Sequence, residues 1–240
     1  MARPPVKGGM TKTILLFGAT GETGRHVLDQ AVERGHKVRG AERDWPDNFC
    51  DDPNFEQHQV DLVEGDLDGA MKGVDCVISA VGLPRDPRTL INPSPLYTEG
   101  AVNTIQAMRR AGVKRLVTIS AAFADPDATY PLWFKAATAP LDRIFRQMGE
   151  MERILRVADD IDWTAVRPGW LLNRERSGDF KVAMDDLPQG TLRTRRADLA
   201  QFMLDCALEG LHVRERPFIA REESVALETP PALIEEFIPG

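Results

Sequence analysis

The sequence predicts a single α/β domain built on a doubly wound parallel sheet, and three observations carry the prediction. Short apolar runs alternate with longer helical patterns from Thr13 to about Ala220, which is how a parallel sheet covered by helices reads along a chain. Gly18, Gly21 and Gly24 fall where the first apolar run gives way to the first helical pattern. The 240 residues, 42% hydrophobic and 28% charged, suit one such domain with a substantial core and require no second one.

The elements follow in chain order. Met1 to Gly9, with Pro4-Pro5 and Gly8-Gly9, reads as a flexible extension or a mis-called start ahead of Met10, so the domain is expected over residues 10–221. Strands are predicted at Thr13 to Gly18, Lys37 to Glu42, Gln57 to Asp61, Asp75 to Val81, Arg115 to Ser120, Trp163 to Arg167 and Pro217 to Ala220. Helices are predicted at Glu22 to Glu33, Glu64 to Met71, Tyr97 to Arg110, Leu141 to Val157 and Asp198 to Glu209. In the first of these, Val27, Leu28, Ala31 and Val32 repeat on one face, and Gly35 ends it. The segments Gly82 to Pro95 and Ala121 to Pro140 are long loops after strand ends, where such folds shape their sites. An acidic, proline-punctuated tail runs from Glu222 to Gly240, with Leu233-Ile234 and Phe237-Ile238 as anchors onto the domain or a sister subunit.

The run Gly18-Ala19-Thr20-Gly21-Glu22-Thr23-Gly24 directly follows the strand Thr13-Ile-Leu-Leu-Phe17 and opens a helix. Glycine admits positive φ and lacks Cβ, which lets the chain turn tightly, approach a pyrophosphate and pack the helix on the strand. The first amides of that helix have no intrahelical acceptor and sit at the positive end of its dipole, so they serve as donors to phosphate. Strand, spacing and helix together predict a Rossmann-like dinucleotide cradle. Glu22 places a carboxylate in the first helical turn, and Arg25, three residues on, is positioned to pair with it.

The formal charge of −7 gives no general attraction to nucleic acid or an anionic membrane, so a small-molecule partner is expected. Cys50, Cys76 and Cys206 lack metal-ligand spacing, and His26, His36, His58 and His212 are dispersed. Buried thiols and surface imidazoles in a reducing cytoplasm fit this pattern, and no metal is expected. No apolar stretch is long enough to span a membrane, and there is no signal-peptide core. Monomer and homodimer both fit.

The second strand ends in Glu42-Arg43. A carboxylate there accepts from an adenine-ribose 2′-OH, whereas an arginine pairs with a 2′-phosphate. Neighbouring strand residues face opposite ways, so one of the two projects at the ribose, and spacing alone does not choose.

The run Gly18 to Gly24, the segment Ala41-Glu-Arg-Asp44, Val60-Asp61-Leu62, Trp163-Thr-Ala-Val-Arg-Pro-Gly169 and Arg195-Arg-Ala-Asp-Leu-Ala200 together resemble the atypical short-chain dehydrogenases/reductases, within them the NmrA-like and biliverdin-IXβ/flavin reductase branch. The resemblance covers Met10 to about Ala220. It implies that Arg43 contacts the 2′-phosphate, and hence NADP(H) in preference to NAD(H). It further implies that Asp61 and Leu62 border adenine, that Ala80, Val81, Gly82 and Ser120 line the nicotinamide side, and that Pro168, Gly169 and Trp170 close over the ring.

Short-chain dehydrogenases generally activate a carbonyl with Tyr-x-x-x-Lys, the phenol giving a proton as hydride transfers. Here Tyr130 and Lys135 are five apart in a proline-rich segment, and Met148 stands four residues before Glu152, where relatives place lysine. The resemblance therefore implies an NADPH-dependent reductase of a flavin, quinone, tetrapyrrole or similar conjugated carbonyl acceptor, protonated from solvent. It is also compatible with a non-catalytic NADP-responsive regulator or scaffold, and with an isomerase or cyclase on the same fold. Ser120, at the end of a central strand, is the candidate catalytic side chain, as a hydrogen-bonding partner of nicotinamide or acceptor; capping of the strand end is its alternative role. Phe123, Trp133, Phe134 and Trp170 are candidates for flat apolar walls or core, and Lys135, Arg143 and Arg146 for attracting an acidic substrate or forming a solvated face.

Overall fold

A computed structural model of the chain describes residues 10–82, 92–124, 138–224 and 227. The expected N-terminal extension, most of the tail, and Tyr130, Trp133, Phe134 and Lys135 lie outside the described residues. The strands are β1 (Thr13–Phe17), β2 (Lys37–Glu42), β3 (Phe55–Gln59), β4 (Cys76–Ser79), β5 (Arg115–Ile119), β6 (Asp162–Pro168), β7 (Trp170–Leu172), β8 (Lys181–Ala183), β9 (Arg193–Arg195) and β10 (Phe218–Ala220). The helices are α1 (Glu22–Glu33), α2 (Asp68–Met71), α3 (Glu99–Ala111), α4 (Asp142–Val157) and α5 (Arg196–Glu209).

Eight strands form one sheet in the order β3-β2-β1-β4-β5-β6-β10-β8, with β7 and β9 as a separate parallel pair. Every neighbour in the large sheet is parallel except β8, which runs antiparallel on β10. This is the Rossmann-like doubly wound sheet the alternation predicts. The strand order reverses beside β1, where β2 and β4 flank it, and open α/β sheets bind ligands in the crevice at such a reversal.

The apolar runs are continuous because both faces of the sheet are covered. In β1, Ile14 and Leu16 pack among Val27, Leu28, Leu199 and Met203 of α1 and α5, while Leu15 and Phe17 pack among Met71, Met108 and Leu155 of α2, α3 and α4. Buried residues surround α5 on most sides because it packs against both α1 and the sheet. Arg115 is buried too, and its guanidinium donates to the carbonyls of Cys206, Leu211 and Asp162 and to the Thr164 hydroxyl. It thereby ties β5 and β6 to the end of α5.

Several predicted elements differ in extent from the bounds expected, among them α2 and β3. The helix expected from Glu64 begins at Asp68, because Asp61 Oδ1 accepts the amides of Val63 and Glu64 at 2.7 and 3.1 Å and Asp66 Oδ1 that of Asp68 at 3.0 Å. Aspartate turns of this kind compete with helix for the same amides. β3 starts at Phe55 and ends at Gln59, two residues earlier than expected. The three-residue strands β7, β8 and β9 have no counterpart in the sequence reading.

Candidate functional site

The glycine run forms the turn from β1 into α1, and each glycine has a distinct role. Gly18 has φ +80°, and a Cβ there would come within 2.6 Å of the Ala80 carbonyl. At Gly24 a Cβ would come within 1.9 Å of the Gly18 oxygen, so this glycine lets the helix pack on its own turn. Gly21 is exposed, and a Cβ there would meet only the Gly18 oxygen, at 3.3 Å. It is the N-cap of α1 in extended geometry, with no side chain capping the helix. The amides of Thr23 and Gly24 in the first turn of α1 are therefore open to an outside acceptor, and a small residue guards the approach. These residues fit the pyrophosphate of a dinucleotide.

Glu42 closes this turn from the second strand. Its carboxylate accepts the Thr20 amide at 3.0 Å, and burial pushes its pKa up against the opposing pull of the Thr20, Ala19 and Gly18 amides and the Thr20 hydroxyl. Arg43 projects outward, 76% exposed, and pairs with Asp44 at 3.2 Å. The expected Glu22–Arg25 pair is replaced. Arg25 donates to the Phe49 carbonyl at 3.0 and 3.1 Å and lies 4.0 Å over the Phe49 ring, whereas Glu22 pairs with Arg196 at the start of α5, at 2.9 Å. Helical spacing made Arg25 the nearest cation in sequence; the packing of α5 on α1 brought a nearer one.

Ala80 and Val81 lie against Gly18 at the end of β4, with Gly82 exposed beyond them. Asp61 spends Oδ1 on the turn before α2, and Leu62 lies against Gly100 of α3, its carbonyl held by Asn103 at 3.0 Å. Val81, Leu62, Tyr97, Thr118 and Met151 line a cleft between the sheet, α3 and α4.

Ser120 is buried, and its hydroxyl donates to Glu152 Oε1 at 2.7 Å. Arg167 of β6 pairs with both oxygens of Glu152 at 2.8 and 2.5 Å, and Arg216 adds a third contact at 3.2 Å. The proton of Ser120 is thus committed inward, while its oxygen keeps a free acceptor capacity. Met148 is buried one turn before Glu152. Gly169 is pinned by Thr194, whose hydroxyl accepts the Gly169 amide at 2.9 Å and donates to the Ile219 carbonyl at 2.5 Å. This holds Pro168, Gly169 and Trp170 beside the sheet's end. Trp170 and Phe145 flank Phe123, with ring centroids 6.3 and 5.8 Å away. Arg146 pairs with Asp142 on α4. The roles of Thr194, Arg196 and Glu152 are absent from the sequence reading; the run Arg195 to Ala200 was a signal toward Arg196 alone. Among the described residues, no group of three or more His, Cys, Asp or Glu side chains gathers as metal ligands, and no helix is long and apolar enough to cross a membrane.

Comparison with known proteins agrees with this geometry. A family described as NAD(P)H-binding matches residues 18–209. An uncharacterised chloroplastic protein of Arabidopsis thaliana is 27% identical over 231 residues, covering 92% of this chain and 79% of its own length. The 3-diazoavenalumate denitrifying reductase of a Streptomyces species is 28% identical over 166 residues, covering 61% of this chain and 52% of that protein. Among solved structures, an oxidoreductase from Lactococcus lactis superposes with a TM-score of 0.73 at 19% identity, over 95% of this chain and 99% of that one.

Proposed function

The chain belongs to the NAD(P)H-binding family, of the atypical short-chain dehydrogenase/reductase kind, and from that premise we propose that it is a reductase that passes hydride from a nicotinamide to a flat conjugated acceptor of the flavin, quinone or tetrapyrrole class. The observation that carries this reading is α4: where a lysine of a proton-donating pair would stand there is buried Met148, and Glu152 beside it is consumed by Arg167 and Ser120. Among the described residues, α4 thus lacks the lysine of a Tyr-x-x-x-Lys pair and presents buried Met148 and a committed carboxylate in its place. A conjugated acceptor suits this, because it can take hydride and collect its proton from water, leaving orientation as the protein's main contribution. The bound reduced dinucleotide would supply the hydride; Gly18 to Gly24 would hold its pyrophosphate, and Phe123, Phe145 and Trp170 would flank the acceptor. The streptomycete reductase among the relatives supports reduction as the chemistry.

For the dinucleotide, Arg43 and the family resemblance favour NADP(H), and the geometry around Glu42 favours NAD(H). We adopt NAD(H): the carboxylate of Glu42 already faces the turn on which the adenine ribose rests in such folds, where it accepts hydroxyls and repels a 2′-phosphate, while Arg43 is turned to solvent and partly neutralised by Asp44. Stopped-flow absorbance of the reduced dinucleotide against flavins, quinones and linear tetrapyrroles tests the function. Turnover with at least one acceptor class, largely retained in Tyr130→Phe, is expected. Tight dinucleotide binding with no turnover across the panel would favour the regulator or the isomerase.

A further inference from the structure

We propose that Arg196 is a positioning residue of the dinucleotide site, which keeps the phosphate-binding end of α1 open by holding the Glu22 carboxylate away from it. The inference rests on the dinucleotide reading of the glycine run. Glu22 is the first residue of α1, directly after the uncapped Gly21. A carboxylate there is drawn to the same helix dipole and first-turn amides as a phosphate would be. Left alone, it either occupies those amides or repels the pyrophosphate. In this structure no side chain caps the helix, and the carboxylate is paired with Arg196 at 2.9 Å.

The two partners differ in a way that suits this role. The Arg196 side chain is 8% exposed at the start of α5, whereas that of Glu22 is 50% exposed. The anchor is buried and the held group reaches solvent. Arg196 is itself built in: α5 packs along α1, and Gln30 of α1 donates to the Ala197 carbonyl at 2.9 Å, next to Arg196. Asp198, two residues on, is fully buried and accepts the amides of Ser177 and Gly178 and the Ser177 hydroxyl at 2.8, 2.9 and 2.6 Å. The first turn of α5 is therefore a fixed platform, against which the first turn of α1 is electrostatically set.

The test is a double-mutant cycle read by equilibrium binding of NADH and of ADP-ribose, which carries the pyrophosphate without the nicotinamide. Arg196→Gln should weaken both ligands on the order of tenfold. Glu22→Gln should bind as well as the wild type or better, and Glu22→Gln/Arg196→Gln should return to within about twofold of Glu22→Gln. Glu22→Asp, one methylene too short to keep the pair, should weaken binding while leaving the buried Arg196 in place, so the idea stays testable if Arg196→Gln fails to fold. Unchanged binding in both Arg196→Gln and Glu22→Asp, or a double variant as weak as Arg196→Gln alone, would overturn the proposal. Absence of NADH and NADPH binding in the wild type would instead remove the dinucleotide reading beneath it.

Discussion

The carboxylate of Glu42, the last residue of β2, accepts the backbone amide of Thr20 in the turn after β1 at 3.0 Å. The end of β2 is thereby joined to the glycine turn that follows β1, at the mouth of the crevice.

Cofactor choice should follow this contact. Wild-type protein is expected to bind NADH more tightly than NADPH in calorimetry. Glu42→Ala should weaken NADH by about tenfold or more, the loss of a charged hydrogen-bonding partner, and should narrow or invert the preference. Arg43→Ala should change NADH binding little. Tighter NADPH binding in the wild type, abolished by Arg43→Ala, would return the 2′-phosphate to Arg43 as the resemblance implies.

The three glycines should fail in different ways. Gly24→Ala forces a Cβ onto the Gly18 carbonyl and should lower stability by at least about 1–3 kcal/mol, since the colliding atom is backbone. At Gly21 the clash is slight, so Gly21→Ala should cost about 1 kcal/mol or less while sharply reducing dinucleotide affinity. Urea unfolding and fluorescence titration measure the two effects separately; normal NADH and NADPH binding by folded Gly21→Ala would reduce the run to a plain turn.

Glu152 is the hub of a buried network, and removing it takes from Arg167 both contacts to its buried counter-charge. Glu152→Ala should cost about 3–5 kcal/mol, as expected when one member of a buried ion pair is deleted. Ser120→Ala removes one hydrogen bond and leaves both arginines paired, so about 1–3 kcal/mol is expected. Equal effects in chemical denaturation would mean that Arg167 finds another counter-charge.

Burial pushes the thiols of Cys76 and Cys206 up to about 11 and about 12, while Cys50 is only partly buried. At pH 8 a thiol reagent should modify Cys50 alone in the native protein and all three cysteines in urea. The unfolded chain releases these protons near its ordinary thiol value of 9.0, before the folded one does. Stability should therefore fall as pH rises from about 9 through 11 and 12, a slope that Cys76→Ala or Cys206→Ala should reduce.

The strands, the glycine turn and α1 were legible in the sequence because each is specified locally: a continuous apolar run, a residue without Cβ, and a repeat of 3.6 residues. Gly18 and Gly24 are dictated by contacts within or beside one strand–turn–helix unit, so their spacing carries their geometry. The short strands β7 to β9 were not legible, because three residues hold too little periodicity, and their partners come from distant segments. Charge partners were the other domain of tertiary structure. Sequence spacing offered Arg25 to Glu22, yet the docking of α5 on α1 delivered Arg196 from more than 170 residues away. Likewise spacing did not choose between Glu42 and Arg43 and the resemblance pointed to Arg43, whereas only the fold shows that Glu42 takes the Thr20 amide and that Arg43 lies exposed beside Asp44. A side chain's chemistry is written in its own residue. Its partner depends on which surfaces the whole fold brings together, and that is decided only when the helices pack.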